Sequence, residues 1–113
     1  MAFENLDVWK RSAGLSADIY KELMKLRDYG FKYQITRSGL SIPSNIAEGM
    51  ERNSKKEKKQ FLAYAKGSCG ELRTQIYIGM KIAYIPKVKG KQWITDTNDI
   101  SAMLAMLMKS IKT

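Results

Sequence analysis

Ser41-Ile42-Pro43-Ser44-Asn45-Ile46-Ala47-Glu48-Gly49 is the stretch whose reading decides the fold. It sets a proline, polar residues and a glycine inside a segment whose apolar residues otherwise repeat at helical spacing. A proline in a helix interior removes one backbone donor and crowds the carbonyl four residues earlier, here that of Gly39. The cost in a plain helix is about 3 kcal/mol. Yet the pattern runs straight through it. On a helical wheel Phe31, Ile35, Gly39, Ile42, Ile46, Gly49 and Met50 share one face, while Arg37, Ser41, Ser44, Glu48 and Arg52 share the opposite one. The spacing predicts one continuous helix from about Lys32 to Arg52, bent at Pro43. Gly39 has no side chain to worsen the clash, and Ser41, Ser44 or Asn45 can bond a carbonyl that the missing donor leaves open.

Three more helical segments lie around it. The first spans about Leu6 to Arg27, with a wide apolar arc built from Leu6, Trp9, Ala13, Ala17, Tyr20 and Met24 beside Val8, Leu15, Ile19, Leu23 and Leu26. Asp28-Tyr29-Gly30 is expected to end it, with Gly30 in a left-handed C-terminal position. The third opens on the capping box Ser54-Lys55-Lys56-Glu57 and runs to about Ala83, stopping before Pro86. Its row is Phe61, Ala65, Ser68, Leu72, Gln75, Gly79 and Ile82, widened by Leu62, Cys69, Ile76, Met80 and Ala83. A lysine-bearing loop, Lys87 to Lys91, is expected next. The fourth helix is expected to start near Asp96, capped by Asp96 or Thr97 with Asp99 in its first turn, and to bury Ile100, Met103, Leu104, Leu107, Met108 and Ile111. No alternating strand pattern appears. The fold class is therefore all-α: a single domain over 1–113 forming an antiparallel up-down-up-down four-helix bundle.

Composition narrows the function. The 113 residues suit one core, and 44% of them are hydrophobic. Twenty Lys+Arg stand against eleven Asp+Glu, a net charge of +9, which favours polyanionic partners. Histidine is absent, which excludes a Ser-His-Asp triad, a Cys-His pair and every histidine-containing zinc site. No cofactor or metal site is expected. The lone Cys69 admits no intrachain disulfide and suits a reducing compartment. Met1-Ala2-Phe3-Glu4-Asn5 does not read as a signal peptide, and no apolar run approaches the ~20 residues that span a bilayer. A cytoplasmic protein without membrane association is expected.

The motifs carry a resemblance. Phe3, Leu6, Val8 and Trp9 fit an opening F-x-x-L-x-V-W. Gln34, Arg37 and Ser41 to Gly49 fit Q-x-x-R-x-x-x-S-I-P-S-N-I-A-E-G, with Arg52 and Ser54 following as R-x-S. Gly67, Ser68, Glu71, Leu72, Thr74 and Gln75 fit G-S-x-x-E-L-x-T-Q. In these positions the chain resembles, over nearly its whole length, the bacterial four-helix-bundle proteins of 23S ribosomal RNA intervening sequences. The accessory variability determinant of diversity-generating retroelements is similar to these. The resemblance implies a homopentamer around a central opening, no enzymatic activity and, in the retroelement branch, nucleic-acid binding together with contact to a reverse transcriptase. Five chains at +9 each would make about +45, a repulsion that a large apolar interface must offset. Two positions depart from the pattern: Thr36 stands where a second arginine is common, and Ser12 where a small apolar residue is usual.

The residues expected to carry nucleic-acid binding are Arg37, Arg52, Lys55, Lys59, Lys66 and Arg73. Lys55, Lys59, Lys66 and Arg73 share one face of the third helix, and Arg52 joins Lys55, Lys56, Lys58 and Lys59 at the turn before it. Such a stripe can track a phosphate backbone, releasing counterions; an ordinary solvated helix face has the same composition. No base-reading motif is visible, so little sequence preference is expected for RNA or DNA. The alternative is a protein-interaction scaffold, for instance a partner of a reverse transcriptase, whose charge is incidental. Glu48 and Glu71 do not assemble with a nucleophile and a base: Glu48 reads as a surface partner of Arg52, and Glu57 as a capping residue. Trp93 reads as an apolar anchor beneath the lysine loop more readily than as a stacking platform, and Cys69 as a buried structural thiol.

Overall fold

In the computed structural model, which describes residues 2–112, every regular element is helical. A 3-10 turn, Phe3–Asn5, leads into α1 (Asp7–Glu22), α2 (Tyr29–Met50), α3 (Lys55–Lys81) and α4 (Lys87–Ser110). Each helix packs on the next, and α1 closes the ring on α4. The diagonal pairs make no close backbone approach among the described residues. The result is a rod of 44 × 21 × 20 Å around one core. That core contains Val8, Leu15 and Ile19 of α1, Ile35, Ile42 and Ile46 of α2, Leu62, Ala65, Cys69, Leu72 and Ile76 of α3, and Trp93, Ile100 and Leu104 of α4. Each large side chain fully buried there is worth about 1.5–3 kcal/mol.

α2 does run unbroken through Pro43. Ile35, Gly39, Ile42, Ile46 and Gly49 are buried, as the wheel requires. The polar residues around Pro43 bond the helix's own backbone. Ser41 Oγ donates to the Ser38 carbonyl at 2.7 Å, and Asn45 Nδ2 to the Ser41 carbonyl at 2.9 Å. These carbonyls lie on either side of Gly39 in sequence, so the compensation falls near the expected carbonyl and not on it.

Two boundaries differ from expectation. α1 stops at Glu22, not Arg27, and Gly30 neither ends it nor adopts a positive φ. Asp28, whose carboxylate accepts the Phe31 backbone N–H at 3.1 Å, starts α2 at Tyr29 and so places Gly30 inside its first turn. A capping residue here outranks the glycine two positions later. The second difference is larger. Lys87 to Lys91 is not a loop but the first turns of α4, with Pro86 as its N-cap. Asp96 and Thr97 consequently sit inside the helix rather than capping it, and Asp99 lies beyond its first turn. Proline pre-sets the backbone for a helix start, whereas it had been expected to mark only the end of α3. That end is fixed independently by Ala83, held at φ 63°. The N–H of Tyr84 bonds the Gly79 carbonyl at 2.8 Å, and that of Ala83 bonds the Met80 carbonyl at 3.2 Å. This is a Schellman motif with alanine where glycine is usual. On α3, Ser54 caps as expected, accepting the Glu57 N–H at 3.2 Å. The buried line is Leu62, Cys69 and Ile76 with Ala65, Leu72 and Gly79, so the face is turned slightly from Phe61, Ser68 and Gln75, and Ile82 is exposed.

Contacts across the seams set which ends meet. Tyr84 donates its hydroxyl to Asp28 Oδ2 at 2.8 Å, and Phe31 packs edge-on against Tyr84. The α1–α2 and α3–α4 connections therefore share one end of the rod. α3 and α4 approach closely near that end: a Cβ on Gly90 would collide with the Met80 thioether. The indole N–H of the fully buried Trp93 donates to Asp18 Oδ2 at 2.8 Å, tying α4 to α1, and Lys89 reaches the same oxygen at 3.3 Å. No helix is long and apolar enough to cross a membrane among the described residues.

Candidate nucleic-acid interface

The six cations expected to bind nucleic acid do not form one surface. α2 meets α3 where the buried Ser38 hydroxyl donates to Glu71 Oε1 at 2.7 Å. The Lys55, Lys59, Lys66 and Arg73 row lies on the other side of α3, bordering α4. Arg73 Nε donates to Thr97 Oγ1 at 3.1 Å, so this guanidinium serves the α3–α4 seam. Lys55 and Lys66 are exposed and Lys59 is half-buried. These three span about 16 Å of helix, from the 1.5 Å rise per residue.

Arg52 sits at the α2–α3 turn between Glu48 Oε2 at 3.4 Å and Glu57 Oε1 at 3.8 Å, with its guanidinium 4.8 Å from the Phe61 ring centre. The Glu48 contact is Coulombic and lacks hydrogen-bond alignment, since Arg52 Nε has no hydrogen-bond partner. Two carboxylates offset its charge. Arg37 stands apart on the exposed face of α2, donating to the Tyr33 hydroxyl at 3.1 Å.

Other candidates make contacts within the fold. Glu71 is engaged by Ser38, and Glu48 by Arg52. Cys69 is fully buried, and burial pushes its thiol up to about 11, which leaves it without thiolate character. Thr36 and Ser12, the two departures from the family pattern, are buried with their hydroxyls turned into the backbone, on the Lys32 and Trp9 carbonyls respectively. Asp96, expected as a cap, and Asp99, expected in the first turn, instead clamp Arg11 of α1 at 3.1 and 2.9 Å. The Asp99 hydrogen bond is the largest cause that raises the Arg11 pKa.

Two surface features escaped the sequence reading. A groove of about 490 Å³ runs between α1 and α2, lined by Phe3, Trp9, Ala13, Ala17, Leu40, Pro43 and Ala47. It continues past Tyr20 into a second groove of about 390 Å³, bounded by Met24, Tyr29, Lys32, Tyr33 and Thr36. The second feature is charge. The segments 21–32 and 81–91, which share one end of the rod, hold eight lysines and arginines against two acids. The other end, formed by the turn 48–59 with segments 3–10 and 105–112, holds eight against five. The strongest cationic end is therefore opposite the turn that the lysine run singled out. Its signal was present in the sequence, split between segments about sixty residues apart.

Together these features define an all-helical four-helix domain with a cation-rich surface and an apolar seam. The chain belongs to the family of 23S rRNA-intervening sequence proteins, whose model matches residues 4–106. Among solved structures it is similar to a protein of unknown function from the S23 ribosomal protein family of Bacteroides thetaiotaomicron. That likeness has a TM-score of 0.84 and 24% identity, covering 90% of this chain and 98% of the other, and it shows the fold. No curated protein matches the sequence.

Proposed function

We propose that this protein is a non-enzymatic, self-assembling cytoplasmic bundle that binds RNA or DNA through phosphate-backbone contacts with little sequence preference. The observation that carries this is the unneutralised charge. Of twenty lysines and arginines, Arg11, Arg52 and Lys89 are the three that join ion pairs among the described residues. A surface left this cationic attracts polyanions from a distance. Arg37, Lys55, Lys59 and Lys66 are the contacts favoured among the six, since Arg52 and Arg73 already serve other groups.

The helices are taken as antiparallel, up-down-up-down, which the Phe31–Tyr84, Met80–Gly90 and Arg73–Thr97 contacts support. A homopentamer is the assembly implied by the family resemblance. The apolar α1–α2 groove supports self-association, as do Gly67 and Gly70 of α3, where an added Cβ would meet open space. A second reading, a scaffold for a protein such as a reverse transcriptase, is favoured by exposed Tyr64, Tyr77 and Ile78 on α3.

The discriminating experiment is an anisotropy assay with labelled RNA and DNA on the wild type and on Lys55→Gln/Lys59→Gln/Lys66→Gln. Nucleic-acid binding predicts weaker affinity on every sequence and a salt slope reduced by about one per lost contact. Unchanged binding in the triple variant would remove these lysines from the interface. No binding by the wild type, with capture of a protein partner that survives nuclease, would favour the scaffold.

A further inference from the structure

The groove at the Tyr29 end of α2 has a chemistry different from the lysine row. Tyr29 and Tyr33 are 69% and 58% exposed, large aromatic surfaces left in water, and Met24 beside them is 65% exposed. They are one helical turn apart, about 6 Å along the axis. Each carries a cation near its ring: Lys32 Nζ lies 5.2 Å from the Tyr29 centroid, and the Arg37 guanidinium 5.9 Å from that of Tyr33. Between Asp28 and Glu48 the helix has no acidic residue. Asp28 itself is held by the Phe31 N–H and the Tyr84 hydroxyl.

The surrounding end is the most cationic part of the molecule. It includes Lys87, Lys89 and Lys91 in the opening turns of α4, whose first turn holds no acid of its own, with Lys89 paired to Asp18 of α1. Lys89 is offset by Asp18, whereas Lys87 opposes the helix dipole with no ion pair among the described residues. The groove floor is Thr36, whose hydroxyl bonds the Lys32 and Tyr33 carbonyls and so offers no donor for reading a base edge.

We infer that Tyr29 and Tyr33, with Lys32 and Arg37, form a stacking site for single-stranded nucleic acid. This deepens the backbone-binding reading above and rests on it. Exposed aromatic rings interleaved with cations grip unpaired bases whatever their identity, because every base has a π-face. A duplex hides those faces, so the tyrosines add nothing to duplex affinity. A base on either ring places its phosphate beside that ring's cation, and the charge of the pole extends the track.

The test compares 12-mer oligo(U), 12-mer oligo(dT) and a mixed-sequence 12-base-pair duplex against the wild type, Tyr29→Ala/Tyr33→Ala and Tyr29→Phe/Tyr33→Phe. Circular dichroism and light scattering check fold and mass. The alanine pair is expected to lose single-strand affinity by roughly tenfold per ring on both oligomers, with duplex affinity and mass unchanged. The phenylalanine pair is expected to keep most of the single-strand affinity. Equal loss on duplex and single strands, or no loss on either, overturns the stacking site while leaving backbone binding intact. A fall in mass in the alanine pair also overturns it, because the tyrosines would then be covered by a second copy. A wild type that binds none of the three overturns both readings.

Discussion

Ala83 shows how much one residue's backbone can reveal. Its φ of 63° is needed to end α3 with two reversed hydrogen bonds, and an alanine there bears a cost of about 1 kcal/mol that glycine avoids. Ala83→Gly should therefore raise the urea midpoint by an amount equivalent to about 1 kcal/mol, less the extra entropy glycine gives the unfolded chain. The charged ties between helices make a second prediction. Asp18 is held below the usual carboxylate range, chiefly by the Trp93 N–H and then by Lys89, and Asp28 by the Phe31 N–H and the Tyr84 hydroxyl. A depressed folded pKa stabilises above the ordinary carboxylate value, and that contribution is lost as pH falls through the folded value. Tyr84 is shifted upward by the same Asp28 bond. Its contribution is present below the ordinary tyrosine value and is lost as pH rises through the raised one. Thermal melts across pH should show Asp18→Asn flattening the acid limb, and Tyr84→Phe flattening the alkaline limb.

At the scale of elements, glycines in α3 separate two kinds of packing. A Cβ on Gly79 would sit 3.1 Å from Phe31 Cζ and collide with Ile85, so Gly79→Ala should cost about 1–3 kcal/mol through overpacking. Gly67 has open space around it, so Gly67→Ala should instead stabilise the isolated chain by up to about 1 kcal/mol. If the outward face of α3 packs on another copy, Gly67→Leu should lower the assembled mass, which light scattering reads directly. The contrast also shows what the sequence made legible. The continuous α2 was readable because apolar periodicity persisted through Pro43, and the α3 start was readable because Ser54 and Glu57 have the capping spacing. The α4 start was not: Pro86 and three lysines look like a loop locally, and only the burial of Trp93 against Asp18 and Gly90 against Met80 makes them helical. The candidate site was harder still. The lysine run after Arg52 is conspicuous in sequence, whereas the more cationic end forms only when Asp28 meets Tyr84 across the fold.

The whole molecule is a slender rod whose charge is concentrated at the end formed by 21–32 and 81–91 and whose apolar seam follows α1 and α2. Assembly would place several such ends on one particle and multiply the field, while burying the seam that water otherwise wets. A light-scattering mass near five chains is expected, and a clean monomer at micromolar concentration would contradict the assembly. The most direct test of the central claim is the wild type's affinity for RNA and DNA across a salt titration. Engagement of about four phosphates predicts a linear fall of log affinity with log salt, amounting to about 10²-fold between roughly 50 and 200 mM. An affinity that stays flat over that range would contradict the account.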